Sequence, residues 1–388
     1  MDFELSDTQR DAQQRARAFA ERELAPHAAR WDAEGTFPRD ALTQAARLGY
    51  CGLYAESRQG GLGLGRLDAT LVFEELAAAC PSTAAYLTIH NMVAWVASRW
   101  ADTEHASSWA RRLTSGHSLA SYCLSEPEAG SDAASLRTTA TRDGNDYVLE
   151  GTKAFVSGSG VTEALLVIAR TGASGAQGLT AFLIPASTRG IQLGPPEEKL
   201  GWRNQPTRTV HFERVRVPAD LRLGQEGEGF RIAMQALDGE RVNLAICSVG
   251  AAQAALDAAR QHLHRRSQFN RKLAGFQSVQ FKFAGMATDL VAARQMARLA
   301  ASMLDSRSPQ ATVYCAMAKQ VATDTGFRIC NEALQLHGGY GYLRRYPLER
   351  YLRDTRVHQI LGGTNEIMRV IVSRYLLDEV TAGGGDGL

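Results

Sequence analysis

The chain has 388 residues, 45% of them hydrophobic and 22% charged, enough to bury a large core in two or three domains or subdomains. Its net charge of +2, from 43 basic and 41 acidic residues, gives no reason to expect nucleic acid as a partner. The six cysteines (Cys51, Cys80, Cys123, Cys247, Cys315, Cys330) lie apart with no CxxC pair, which argues against a zinc site or a disulfide framework and fits a reducing cytoplasm.

The opening MDFELSDTQRDAQQ is polar and has no apolar signal core. The longest charge-free helical run, Val242 to Leu256, is shorter than the ~20 residues of a membrane span. A soluble cytoplasmic protein is expected. Residues 1 to 118 read as helices: Ser6 and Gln9 make a capping box ahead of a periodic stretch ending near Trp31. LVFEELAAAC and MVAWVASRW keep the helical spacing, with breaks at RQGGLGLG and CPS.

From 119 to 226 the texture changes. YVLEGTKAFVSG, ALLVIAR, LTAFLIPA and TVHFERVRVP are branched or aromatic runs parted by Gly, Asp-Gly and Pro, which predicts a small β-barrel or sandwich. Helical periodicity returns over 227 to 380 in segments long enough for an antiparallel four-helix bundle. The tail at 381–388, rich in glycine, is expected to be disordered.

Several short motifs stand out along this frame. SYCLSEPEAGSD (121 to 132) crowds hydroxyls around a turn, and alone reads as either a capped turn or a ligand cradle. KAFVSGSG (153 to 160) sets Phe155 near Ser157 and Ser159, in a strand that ends in a turn. RRSQFNR (265 to 271) is either a solvated helix end or an arginine pair suited to pyrophosphate. LQLHGGYGY and QILGGTNEIMR each carry a Gly-Gly turn, where the backbone can be approached closely.

Taken together, YCLSEPEAGSD, KAFVSGSG, LDGERVNLA, RSQFNR, QLHGGYGY and GGTNEIMR resemble the acyl-CoA dehydrogenase family over roughly residues 1 to 380. The resemblance implies a mainly α fold: an N-terminal helical domain, a middle β-domain and a C-terminal four-helix bundle. It also implies non-covalent FAD, a homotetramer built as a dimer of dimers, and an electron-transfer flavoprotein as electron acceptor. HGGYGYLRRYPLERYLRDTRVHQIL and GAAQAALDAARQHL resemble the short branched-chain, isobutyryl-type enzymes.

Residue by residue, the resemblance gives Tyr122, Leu124, Ser125 and Ser131 to the cofactor, with Tyr122, Leu124 and Ser125 along the isoalloxazine edge. Phe155 and Ser157 would cover the other side, where the family often has tryptophan and threonine. Arg266, Gln268 and Phe269 would come from a neighbouring subunit and hold the FAD pyrophosphate, with Asn270 where the family pattern has glycine, and Gln277 is also given to the cofactor. Gln335 and Gly339 would meet the adenosine half from yet another chain, and Thr364 and Glu366 the phosphate and ribityl region. Ser131, Asp238, Arg241 and Gly362 would contact the acyl-CoA.

In most of the family the residue before the Gly-Thr of that last turn is the glutamate that removes the α-proton; here it is Gly362. In LDGERVNLA, Glu240 and Arg241 are the last charges before the long charge-free run, where a carboxylate is either a functional group or an ion-paired or solvated helix-start residue. The isovaleryl and long-chain branches carry their base at this helix position and lack the glutamate at the turn. Glu240 is therefore the expected base, and Gly362 keeps the backbone N–H that, with a flavin ribityl hydroxyl, would stabilise the thioester oxygen.

The expected reaction is α,β-dehydrogenation of a short or branched acyl-CoA to the trans-2-enoyl thioester, the β-hydride going to flavin N5. The alternatives are other flavin chemistry on an acyl-CoA (desulfinase or oxygen-using), and a CoA-ester-binding flavoprotein without catalysis should Glu240 face solvent.

Overall fold

The computed structural model describes residues 4–378, so the tail at 381–388 expected to be disordered lies outside the described residues. The Ser6 hydroxyl accepts from the Gln9 N–H while the Gln9 side chain takes the Ser6 N–H, and this capping box starts α1 (Asp7–Phe19). The helix does not run unbroken to Trp31 as the periodicity predicts. Its turn widens to a π-helical one over Ala20–Leu24, and Pro26, which has no N–H to donate, stands before α2 (Ala28–Glu34) begins afresh.

Four more helices follow: α3 (Arg39–Arg47), α4 (Arg66–Ala79), α5 (Pro81–Trp100) and α6 (Glu104–Thr114). Pro81 occupies the first position of α5, where a missing N–H matters least. The first N–H groups of α4, from Arg66 and Leu67, donate to the Asp305 carboxylate at 2.6 and 3.0 Å, an anionic cap supplied by a distant segment.

The strands are β1 (Ala120–Cys123), β2 (Thr139–Asp143), β3 (Asp146–Ser157), β4 (Ala164–Arg170), β5 (Leu179–Pro185), β6 (Ile191–Leu193), β7 (Thr207–Pro218) and β8 (Arg222–Leu223). They join in one mixed eight-stranded sheet, ordered β6-β7-β3-β2-β4-β5-β8, with β1 paired parallel to β4. β4 shows why ALLVIAR is apolar at every step. Leu165, Val167 and Ala169 enter a core made by the strands themselves. Ala164, Leu166 and Ile168 enter a second core with residues of α5, α6 and the helix that starts at Gly229.

The C-terminal part comprises α7 (Gly229–Arg265), the short strands β9 (Ser267–Gln268) and β10 (Arg271–Lys272), α8 (Gln277–Asp305), α9 (Ala311–Leu336), α10 (Leu348–Arg356) and α11 (Asn365–Asp378). Among the described residues α7 alone is long and apolar enough to cross a membrane, but its apolar window is 78% buried, so it is a core helix. The chain forms two compact units. One holds Arg30–Gly65 and Ser82–Glu240, with the sheet and its two cores; the other holds the segments up to Ala29, Arg66–Pro81 and from Arg241 on, where Val242 packs with Ala300, Ala301, Cys315 and Ala318. The division falls inside α7, between Glu240 and Arg241.

Candidate functional site

In the sheet-bearing unit, two of the expected loops are fastened to each other. The Lys153 ammonium, fully buried, donates to the Leu124 carbonyl at 2.9 Å and to the Glu126 carboxylate at 2.7 Å. That carboxylate also accepts the backbone N–H groups of Arg137 and Thr138. Burial pushes the Glu126 carboxyl upward, but Lys153 and these donors outweigh it and hold it below the usual range. The Ser125 carbonyl accepts from Ala154 N–H at 2.8 Å, so Leu124 and Ser125 are fastened to β3, while Tyr122 lies in β1, paired with Leu166 of β4. Ser131 lies exposed on the same loop.

Phe155 departs from ordinary strand geometry. The pairing of β3 with β7 shifts register between Lys153 and Val156, and at this irregularity Phe155 has φ +57 with its side chain 72% exposed. A bulky residue in the left-handed region is an outlier, and bulges of this kind re-aim side chains beside active sites. Ser157 follows, half-buried at the end of β3. The Tyr122 phenol oxygen is buried without a hydrogen-bond partner among the described residues, and burial raises its pKa strongly. A flat exposed aromatic and an orphaned hydroxyl fit the face and the polar edge of an isoalloxazine ring.

Glu240 and Asp238 lie on the first part of α7, 3% and 8% exposed. One Glu240 carboxylate oxygen is 2.8 Å from the Thr88 hydroxyl of α5. The next residue, Arg241, belongs to the other unit and is 4% exposed; its Nε donates to the Gly362 carbonyl at 3.3 Å.

The turn before α11 is built from backbone. Gly362 has φ +67 and Gly363 φ +90, conformations that glycine adopts at little strain. A Cβ on Gly362 would lie 2.9 Å from Leu244 Cδ1, and one on Gly363 2.7 Å from the Met368 methyl. Lys319 of α9, fully buried, donates to the Gly363 carbonyl and to the Asn365 side chain, both at 2.8 Å. Burial and the neighbouring Arg241 pull the Lys319 pKa down to about 7, against Asp324 and Glu366. The Thr364 hydroxyl accepts the Ile367 N–H at the start of α11. Glu366 beside it is exposed, and backbone and Thr364 hydrogen bonds keep its carboxyl below the usual range.

In the same unit Phe269 and Asn270 form the two-residue turn between β9 and β10, with φ +52 and +58. Both central residues of a type I′ turn need positive φ, and asparagine tolerates it better than most non-glycine residues, so Asn270 serves where the family pattern has glycine. Phe269 is 92% exposed. Arg266, Gln268, Gln277, Gln335 and Gly339 are exposed too, and the Arg266 guanidinium lies over the Tyr340 ring at 5.7 Å.

Family models for the acyl-CoA dehydrogenase N-terminal, middle and C-terminal domains match residues 6–117, 121–215 and 227–377. The chain belongs to the acyl-CoA dehydrogenase family. It is 48% identical over 375 residues to the mitochondrial isobutyryl-CoA dehydrogenase of Bos taurus, covering 97% of this chain and 90% of that one. The butyryl-CoA dehydrogenase of Megasphaera elsdenii has the same fold at a TM-score of 0.93 and 36% identity, with coverages of 97% and 100%. A chain from work on the electron transferring flavoprotein of Acidaminococcus fermentans matches at 0.94 and 35% identity, again covering 97% and 100%. The protein is thus an FAD-dependent oxidoreductase that dehydrogenates acyl-CoA thioesters.

Motif reading missed four side chains that hold the named ones in place: Glu126, Lys153, Thr88 and Lys319. Glu126 and Lys153 sit inside quoted motifs, and a lysine amid strand residues was a usable signal. Thr88 and Lys319 lie in ordinary helical runs that carry no such mark.

Proposed function

We propose that this acyl-CoA dehydrogenase acts on a short branched acyl-CoA of isobutyryl type, with Glu240 as the base. The observation that carries the assignment of the base is a buried carboxylate, hydrogen-bonded to Thr88, one residue before the arginine that binds the side-chain-free turn at Gly362. Glu240 is 3% exposed, so the solvent-facing carboxylate that a non-catalytic reading requires is not present.

Bound FAD supplies the hydride acceptor for the β-carbon. Tyr122, Leu124 and Ser125 meet the isoalloxazine edge, while Phe155 and Ser157 cover its other side; the orphaned Tyr122 hydroxyl and the exposed Phe155 support this. Thr364 and Glu366 close on the ribityl and phosphate region. Ser131, Asp238 and Arg241 bind or shape the CoA portion. The Gly362 N–H donates to the thioester oxygen as charge grows there, and a Glu240 carboxylate oxygen takes the α-proton.

Arg266, Gln268, Phe269, Gln277, Gln335 and Gly339 serve FAD of a neighbouring copy in a homotetramer, a reading supported by their exposure in the single chain. The electron acceptor is an electron-transfer flavoprotein, which the likeness to the Acidaminococcus fermentans chain supports. The compartment is the cytoplasm, in keeping with six buried cysteines.

Anaerobic mixing of the FAD-loaded enzyme with isobutyryl-, isovaleryl- and butyryl-CoA tests the reading. Isobutyryl-CoA should bleach the flavin fastest, and Glu240→Gln should slow bleaching by about 10²–10⁴-fold with substrate binding retained. A Glu240→Gln enzyme that bleaches at the wild-type rate would remove Glu240 from the mechanism, and a straight-chain preference would overturn the substrate.

A further inference from the structure

The base is held from outside its own helix. Thr88 lies in α5, fully buried, and its Oγ1 is 2.8 Å from Glu240 Oε1 and 2.7 Å from the Ala85 carbonyl oxygen. A threonine hydroxyl has one proton to give and lone pairs to receive with, so it cannot donate to both oxygens at once. The bond to Ala85, three residues back, is one that threonines commonly make inside helices. A buried carboxylate at hydrogen-bonding distance on the other side is not explained by that habit.

We infer that Thr88 is a positioning residue for the base, a hydroxyl that can partner Glu240 in both of its protonation states. This rests on Glu240 being the base. While Glu240 is a carboxylate, Thr88 donates its hydrogen to Oε1. In the reaction the substrate loses a proton to Glu240 and a hydride to FAD, so no further co-reactant is needed, and only the proton concerns Thr88.

If the proton arrives on Oε1, that new O–H donates to Thr88 Oγ1, and the threonine hydrogen turns to the Ala85 carbonyl. If it arrives on Oε2, Thr88 goes on donating to Oε1. Either way this pair passes through proton transfer without a buried polar atom losing its partner, the loss that is expensive in a dry site. A valine of the same shape would fill the space and offer neither bond.

The test uses the FAD-loaded enzyme and stopped-flow flavin reduction by isobutyryl-CoA. Losing a hydrogen bond to a charged group should make Thr88→Val slower by roughly 10- to 100-fold. The substrate dissociation constant should stay within about threefold, because the affected interaction belongs to the proton transfer. Thr88→Ser keeps the hydroxyl and should recover to within about fivefold of wild type. In a Glu240→Gln background, adding Thr88→Val should change the rate less than about twofold, since the two residues act as one unit.

Thr88→Val at the wild-type rate, or Thr88→Ser as slow as Thr88→Val, would overturn the inference, the second because packing alone would then explain the loss. If Thr88→Val does not retain FAD, Thr88→Ala replaces it in the same comparison with Thr88→Ser. A fully active Glu240→Gln refutes the base itself; an inactive Glu240→Gln with a normal Thr88→Val refutes only the role of Thr88.

Discussion

Moving the proposed base, Glu240, from α7 to the Gly362 turn should keep only part of the activity, and the turn shows why. In Glu240→Gly/Gly362→Glu the carboxylate returns to the position that most of the family uses. Gly362 has φ +67, a conformation that disfavours an L-residue by about 1–2 kcal/mol. Its new Cβ would lie 2.9 Å from Cδ1 of Leu244, a fully buried residue on α7. Pushing that leucine off its rotamer adds about 0.5–1.5 kcal/mol. A penalty of about 1.5–3.5 kcal/mol felt in the reacting arrangement corresponds to a rate lower by roughly 10- to 400-fold. The assay is anaerobic flavin reduction by isobutyryl-CoA, followed by flavin absorbance. Adding Leu244→Val removes the colliding methyl and should raise the rate of the double variant about 3- to 10-fold. A double variant as fast as wild type, or one that Leu244→Val leaves unchanged, would refute this account of the turn.

Other outcomes follow from single sites. On the proposed role of Arg266 as a charge-assisted partner for phosphate, Arg266→Ala should lose FAD at least about tenfold more readily on dilution; unchanged retention in the assembled enzyme counts against the inter-subunit role. Asn270→Gly should leave stability nearly unchanged, whereas Asn270→Val should cost about 1–2 kcal/mol and weaken FAD retention, because valine resists φ +58. Equal melting temperatures for the two would count against the type I′ turn. Burial, with Arg241 nearby, lowers the Lys319 pKa in the folded chain to about 7 from an ordinary lysine value of 10.5. Between those pH values the unfolded chain holds one more proton than the folded one, so Lys319 contributes stability that rises with pH through this window and is lost as pH falls through 7. The slope is at most about 1.4 kcal/mol per pH unit. Comparing melting temperatures at pH 7 and 8 should show a rise in wild type that Lys319→Met lacks, and a parallel rise in both would contradict the linkage.

Much of the fold could be read along the chain because it rests on local rules. The continuous apolar run of β4, the capping box at Ser6 and Gln9, and the helical spacing of LVFEELAAAC are statements about neighbours in sequence. Each appears in the structure as a buried strand, a capped helix and the core helix α4. The same locality failed at Ala20–Leu24, where periodicity continues across a turn that the backbone widens before Pro26. The motifs were legible for a different reason: glycine pairs, interrupted serines and the Arg-Ser-Gln-Phe run are rare combinations, and together they single out one family.

The sequence by itself determined which residue types stand at the motif positions of the proposed site: no glutamate at Gly362, a carboxylate at Glu240, and Asn270 where the family pattern has glycine. Only the tertiary structure decided what holds them. Thr88 meets Glu240 across 152 residues of chain, and Lys319 reaches the Gly363 carbonyl across 44. Periodicity records that such positions face inward, because burial repeats with the turn of a helix. It does not record which polar atom they meet, since a hydrogen bond needs two atoms within about 3 Å of each other, and packing between distant segments sets that distance.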